Sequence, residues 1–503
     1  MKNRVQLITY VDRLSAGGLG ELRTLLEGPL AGVFGAVHLL PFYDPIDGSD
    51  AGFDPIDHTT VDRRLGDWSD IKSLTDHIDV MADVIVNHVS SRSPQFLDFS
   101  KNGDESPYAG LFLTFDKVFP DGATERALTT IYRPRPGVPF TVVTLANGEC
   151  RVLWTTFTSQ QIDIDVESPA GRSYLEGVLK TFAANGISMV RLDAIGYAIK
   201  RAGSSCFMTA ETFAFIDEFA ATARSIGLEV LVEIHSYYRR QIDIAARVDW
   251  VYDFALPPLI LHAFEFRTAE RLIEWLRIRP RNAITVLDTH DGIGIIDVGA
   301  DAADRIGSPG LVPSSELNRL VEIIHQNSNG TSRLATGEAA SNLDVYQVNC
   351  TFYDAMGRRS TDYLLARALQ FFCPGIPQVY YVGLLAGVND VELLNRTRVG
   401  RDINRHYYGA GDVELSLRHP VVSDLIRLIK LRNQHPAFNG EFSVESPNST
   451  SVVMRWTLGA EAASLSVCFA TRRHAISYSE GGRECKFVLR SAEVNAAECS
   501  LPR

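Results

Sequence analysis

Eight short apolar runs, most of them ending in a polar or charged residue, constrain this 503-residue chain more than any other feature. They cover residues 6–10, 36–42, 80–88, 187–193, 229–233, 251–255, 283–291 and 376–382. The runs are continuous and rich in β-branched residues rather than alternating, which is the pattern of strands covered on both faces. Between them apolar residues recur at helical spacing. The clearest case is 209–225, which runs into Gly227 as its C-terminal stop. Eight covered strands joined by helical crossovers predict an α/β fold, a closed (β/α)8 barrel of the TIM type. An open doubly wound sheet is the alternative, but no GxGxxG fingerprint follows any run.

Two connections are too long for simple crossovers. One separates His88 from Ile187, is rich in Pro, Gly and aromatic residues, and includes YRPRPGVPF at 132–140. The other runs from Gly292 to about Ala355. Both leave the C-terminal ends of strands, where a barrel builds its site. After Pro436 the character changes: 452–456, 464–469 and 486–489 read as short antiparallel strands between turns. The expected organisation is a barrel from 1–88, 167–291 and 356–435, insertions at 89–166 and 292–355, and a C-terminal antiparallel β domain at 436–503.

The net charge of −12 repels nucleic acid and anionic lipid and suits a neutral ligand; an anionic substrate would need a local cationic pocket. No apolar stretch reaches transmembrane length and none follows the basic residues near Met1, so a cytoplasmic location without membrane contact is expected. The seven cysteines are odd in number and form no CxxC pair, which argues against a disulfide framework and a structural zinc site.

Asp193, Glu233 and Asp291 each end a run, and Arg191 lies two residues before Asp193, on the same strand face. Charged groups at the ends of apolar strands need compensation or a function. A buried salt-bridge network is the plain alternative, but three acids, one arginine and the nearby His88 and His290 point to a site. Glycosyl transfer with retention needs such a set. One carboxylate attacks the anomeric carbon and a second, protonated, donates to the leaving oxygen from about 5–5.5 Å away. Arg191 is expected to keep Asp193 ionised and Glu233 to hold the proton, with Asp291 on sugar hydroxyls. His88 and His290 read as hydroxyl donors; as metal ligands they lack any HExxH context, and no metal or cofactor is expected. Asp50, Gly52, Phe53 and Asp54 form either a turn with an aromatic anchor or a pyranose contact.

The segments DVIVNH (83–88), VRLDAIGY (190–197), LVEIHS (231–236) and LDTHD (287–291) resemble, in order and spacing, the four signature regions of the α-amylase-like glycoside hydrolase superfamily, family 13. DAGFDPIDHT, IYRPRPGVPFT, EIHSYY, YDFALPPL, NLDVYQVN and GRDINRHYY extend the likeness over essentially the whole chain to its sucrose phosphorylase subfamily. The resemblance implies a barrel with a B domain, a B' region and an all-β C-terminal domain. It implies conversion of sucrose and inorganic phosphate to α-D-glucose 1-phosphate and D-fructose through a β-glucosyl-enzyme, and a homodimer. Asp193 is then the nucleophile, Glu233 the acid/base and Asp291 the transition-state stabiliser. Asp50, Phe53, His88, Arg191, His290 and Arg401 correspond to the glucose site, Arg401 pairing with Asp50. Tyr132, Arg135, Leu343, Asp344, Tyr346 and Gln347 correspond to acceptor loops, with Phe157, Tyr197 and His235 completing the substrate contacts. Arg135 is the mobile counter-charge for phosphate or, equally, a solvated loop arginine. Tyr197 stands where many polymer-cleaving relatives carry a basic pair, which favours a short acceptor. Related phosphorylases for sucrose 6-phosphate or glucosylglycerate, a hydrolase, and an inactive sugar-binding barrel remain the alternatives.

Overall fold

The computed structural model describes residues 1–15, 17–133, 137–301, 308–336 and 347–489. Arg135, Leu343, Asp344 and Tyr346 lie outside the described residues. Eight parallel strands close into a barrel in sequential order. They are β1 (Gln6–Thr9), β2 (Ala36–Leu39), β3 (Asp79–Ile85), β4 (Met189–Asp193), β5 (Glu229–Val232), β6 (Trp250–Asp253), β7 (Ala283–Thr285) and β8 (Ile376–Tyr380). Covering helices explain the continuous apolar runs. The helix Pro169–Ala184 starts on a Ser168 cap with proline in its first turn. The helix Ala210–Ser225 is capped by the Thr209 hydroxyl, and Gly227 follows it at φ +87°.

Several runs extend beyond their strands. β5 stops at Val232, one residue before Glu233, and β7 stops at Thr285, so residues 287–291 are loop. His88 belongs to a separate ladder, His88–Ser90 against Gln161–Asp163. These segments stay apolar because they are buried, His88–Ser90 against the first insertion and 287–291 beneath the loop that carries Asn404 and Arg405, not because they are strand.

The barrel interior is layered by the two-residue pleat. At the bottom Met81, Met189, Leu231, Tyr252, Ile284 and Ile376 form an apolar plug. One pleat higher β3 and β4 turn polar, Asp83 following Met81 and Arg191 following Met189, while Phe254 and Val286 keep the β6 and β7 side apolar. The side chain of Asp193 is the next step up, at the rim.

The 89–166 stretch contains the helix Pro94–Asn102 and a hairpin of Phe140–Thr144 with Cys150–Trp154. The later insertion closes where Ile293–Gly294 pairs with Gln347–Val348, around the helix Ser314–Asn327. The C-terminal region is a five-stranded antiparallel meander: β9 (Glu441–Asn448), β10 (Ser451–Leu458), β11 (Glu461–Cys468), β12 (His474–Glu480) and β13 (Arg483–Lys486). The expected strand at 486–489 is corrected: Lys486 is only the last rung of β13, and Leu489 is buried beyond it. β9 and β12 escaped the sequence reading because they carry few apolar residues; both flank the better covered β10 and β11. Among the described residues no helix is long and apolar enough to cross a membrane.

An internal ammonium ties the first insertion to the barrel. Lys200 Nζ lies 2.7 Å from Asp163 Oδ2 and donates to Asn87 Oδ1 at 2.8 Å and to the Tyr197 carbonyl. Lys200 is buried and Asp163 fully so. Asp163 also accepts from Asn87 Nδ2 and from Thr156. Removing one partner strands the other charge in low dielectric, at a cost of about 3–5 kcal/mol. A Lys200→Met variant is therefore expected to lose stability on that scale in urea unfolding. A loss below about 0.5 kcal/mol would show that this pair does not hold the junction.

Candidate active site

Arg191 organises the donor half of the cleft from beneath. Its Nη1 donates to Asp83 Oδ1 at 2.6 Å and lies 3.0 Å from Asp193 Oδ1, while Nη2 lies 3.8 Å from Glu233 Oε2. Asp83 is braced from the other side by His38 Nε2 at 3.2 Å. One buried guanidinium thus faces carboxylates from β3, β4 and the end of β5. Directly after Asp193 the chain turns sharply, with Ala194 at φ +55°.

Asp291 is held by a second cation. Arg401 Nη1 lies 3.0 Å from Asp291 Oδ1 and donates to Asp50 Oδ2 at 2.9 Å. The expected pairing of Arg401 with Asp50 is therefore present. Buried Arg405 adds a bond to Asp50 Oδ1 at 3.3 Å and one to the His290 carbonyl at 2.9 Å. Asp50 and Ala51 both adopt left-handed backbone, φ +51° and +57°, followed by Gly52 at +90°. Such a run is costly for side-chain-bearing residues and is held by surrounding contacts, here the two arginines on Asp50. Phe53 stacks on His290 with centroids 4.8 Å apart, and Arg191 lies over the same ring.

These charges set the titration of the site. Against the cost of burial, Arg401 first, then His235 and Arg405, hold Asp291 well below the usual carboxylate range. Against burial again, His38 and Arg191 hold Asp83 at about 2. Asp193 behaves differently. Burial pushes it well up, Arg191 opposes, and Glu233, Asp83 and Asp291 push it further. Arg191 orients Asp193 as expected, but it does not by itself offset burial, because that guanidinium is shared with Asp83. Asp193 and Glu233 face one cation. Burial keeps His88 and His290 neutral, His290 down at about 3.

All of this opens into a cleft of about 1470 Å³. Asp193, Glu233, Asp291, Asp50, Phe53, His88, His290 and Arg401 line its inner part. Tyr132, Phe157, Tyr197, His235 and Gln347 line it as well, so every expected site residue that is described reaches the cleft except Arg191, which sits behind it. The wall from the first insertion is aromatic. Phe157 meets His88 and Tyr197 at 5.2 Å each, and Tyr197 packs on Tyr132 and Phe207. Arg133 and Arg240 also line the cleft. Glu233, His235 and Asp291 bring ligand atoms within 4.8 Å of one another, a spacing a metal could use. Arg191 and Arg401 already supply positive charge to both carboxylates, so this donor set fits a metal poorly.

Sequence reasoning missed Asp83, Arg405 and Asp297 as supporting residues. Asp83 carried a signal, an acid inside an apolar run. Arg405 stood in a recognised motif, but its burial against Asp50, 355 residues away, has no local signature. Asp297 bonds His235 across an insertion, which no spacing reveals.

Residues 32–225 match the family model for the α-amylase catalytic domain. The chain is 59% identical to a sucrose phosphorylase of Agrobacterium vitis, over 95% of this chain and 98% of that protein. It is 53% identical to a sucrose phosphorylase of Bifidobacterium adolescentis, covering 91% and 90%. The crystal structure of sucrose 6F-phosphate phosphorylase from Thermoanaerobacter thermosaccharolyticum superposes with a TM-score of 0.90 at 39% identity, covering 97% of this chain and 98% of that one. A barrel with inward carboxylates on shared arginines is that of a glycosyl-transferring enzyme of the α-amylase type. Within glycoside hydrolase family 13, the chain belongs to the sucrose phosphorylase family.

The buried histidines make acid stability testable. Burial, then His88, brings His58 down to about 3 from 6.5, so below 6.5 the unfolded chain binds more protons than the folded one. The contribution of neutral His58 is present above about 6.5 and is lost as pH falls towards about 3. A His58→Gln variant, still able to bond the Tyr174 hydroxyl, is expected to show a shallower fall in Tm than the parent between about pH 6.5 and 4. Equal slopes in calorimetry would contradict a neutral His58.

Proposed function

We propose that the protein transfers the glucosyl group of sucrose to inorganic phosphate, giving α-D-glucose 1-phosphate and D-fructose, by two inversions that together retain configuration. Asp193 attacks the anomeric carbon as the bond to the fructose oxygen breaks, and Glu233 donates a proton to that oxygen. Phosphate then attacks the same carbon, Glu233 takes its proton, and the ester to Asp193 is released. The observation that carries the reading is the shared guanidinium of Arg191, which aims at both carboxylates and stands nearer Asp193 than Glu233. The closer cation opposes the effect of burial on Asp193 and aims its carboxylate at the cleft. Asp291, kept anionic by Arg401, accepts from sugar hydroxyls and stabilises the positive charge of the oxocarbenium-like state.

Asp50, Arg401 and Arg405 close the far end of the donor pocket, which supports a single glucose unit as the group transferred. Phe53, His88 and His290 contact its faces and hydroxyls. On the acceptor side we assign fructose contacts to Tyr132, Phe157, Tyr197, Leu343, Asp344, Tyr346 and Gln347, and phosphate contacts to Arg135 and His235. No cofactor or metal enters any step. We further expect a cytoplasmic homodimer, to be checked by light scattering.

The second reading is a phosphorylated or glycerate acceptor with the same donor half. The two sucrose phosphorylases share more of this sequence than the sucrose 6F-phosphate enzyme does, which favours unmodified fructose. Incubation with sucrose should release glucose 1-phosphate only when phosphate is present. In reverse, fructose should be consumed faster than fructose 6-phosphate or glycerate. Release of free glucose alone would make the protein a hydrolase, and no product would make it a sugar-binding barrel. Asp193→Ala and Glu233→Gln are each expected to lower turnover at least about 1,000-fold while retaining the circular dichroism of the parent. Near-normal turnover in folded Asp193→Ala would refute the nucleophile assignment.

A further inference from the structure

The loop that carries Glu233 is latched to the second insertion by one fully buried carboxylate that belongs to neither the barrel nor the donor site. Asp297 Oδ2 accepts from His235 Nδ1 at 2.8 Å. Its Oδ1 accepts from the Ser236 backbone N–H at 3.1 Å and from Gln241 Nε2 at 2.9 Å. Three donors from the segment 235–241 therefore converge on one acid and fix its plane. A Cβ at Gly294 would stand 2.2 Å from Asp297 Oδ2, so this approach needs a glycine there. Four residues beyond, Asp301 takes two bonds from Arg240, at 3.0 and 2.8 Å, and Arg240 also bonds Ser236 Oγ.

With Nδ1 committed to Asp297, the imidazole stacks on Phe254, centroids 3.8 Å apart and 16° from parallel. That leaves Nε2 directed into the cleft, 3.8 Å from Glu233 Oε1. Among the described residues, the titratable groups that face His235 include Glu233 on its own loop, Asp297 on the insertion and Asp291 after β7; Phe254 on the β6 side carries no charge. Among the described residues of the cleft, Arg191, Arg240 and Arg401 are each bonded to carboxylates. Burial alone would discharge the ring, but Asp297 first, then Glu233 and Asp291, raise it from the ordinary histidine value.

We propose that Asp297 is a positioning residue that keeps His235 both oriented and cationic, so that the acceptor side of the cleft presents a buried positive charge to an incoming oxyanion beside Glu233. The inference rests on the reading of the cleft as a phosphorylase site. It adds that oxyanion acceptance, and not glucosyl transfer from the donor, depends on Asp297. It also gives the second insertion a role: the segment that reaches Gln347 through the Ile293–Gly294 ladder also sets the charge beside the acid/base.

The test uses Asp297→Asn, whose amide oxygen can still accept from Ser236 and Gln241 while its NH2 faces Nδ1 and leaves the imidazole neutral. The KM for phosphate at neutral pH is expected to rise about tenfold, with the rate of sucrose hydrolysis without phosphate changed less than about threefold. Sulfate, a dianion across the whole range, is the probe for pH. Its inhibition constant should rise with pH through the titration of His235 in the parent, and the onset should move down by about one pH unit or more in Asp297→Asn. Equal losses in the phosphate and hydrolytic reactions, or an unshifted sulfate profile, would overturn the proposal. Should that variant fail to fold, the parent decides alone: a sulfate inhibition constant that is flat from about pH 5.5 to 8.5 refutes a titrating cation. A parent that makes no glucose 1-phosphate from sucrose and phosphate refutes the functional reading itself, a different outcome from a phosphorylase indifferent to Asp297.

Discussion

A single buried guanidinium sets the terms for this active site. Arg191 rises from an apolar plug on the inner face of β4 and meets Asp83, Asp193 and Glu233 at once. Three carboxylates in a low-dielectric barrel would repel one another and take up protons; one cation offsets that repulsion and lets them stand together. Its position follows from the pleat. Met189, Arg191 and Asp193 occupy successive inward places, so the strand supplies foundation, counter-charge and reactive group in one column.

The second charge centre, Arg401 with Arg405, works on the opposite wall. It holds Asp291 as an anion, pairs with Asp50 and keeps a left-handed turn at 50–52 in place. Arg401 and Arg405 leave the C-terminal end of β8, and Asp50 follows β2. The barrel closes by pairing β1 with both β2 and β8, and this brings the two loops together. The cleft's chemistry is thus a product of closure. Cations reach across from one stave's loop to another's, and each acid's titration depends on which cation it receives.

Much of the fold was legible in the chain because a fully covered parallel strand must be apolar along its whole length. Eight such runs and two oversized connections define the barrel and its walls. The reading failed where that rule weakens. β9 and β12 carry few apolar residues and gave no signal, and the 283–291 run looked like one long strand although only Ala283–Thr285 enters the barrel. An apolar run reports burial, not hydrogen-bonding partners, and the segment after Thr285 is buried beneath the arginines of the last loop.

The sequence by itself determined the residue types at the rim, because Arg191 and Asp193 sit at positions fixed by the two-residue period and Glu233 and Asp291 at positions fixed by motif order. It also determined the family, because the motifs recur in order over the whole chain. The tertiary structure decided which acid meets which cation. Asp50 and Arg405 are 355 residues apart, and His235 and Asp297 are 62 apart, and neither pairing has a local pattern. It also decided the protonation of Asp193, since that depends on the burial and division of one arginine's charge. Contacts between distant segments are made by barrel closure and insertion packing, and Coulomb interaction acts on distance in space, which a linear chain does not encode.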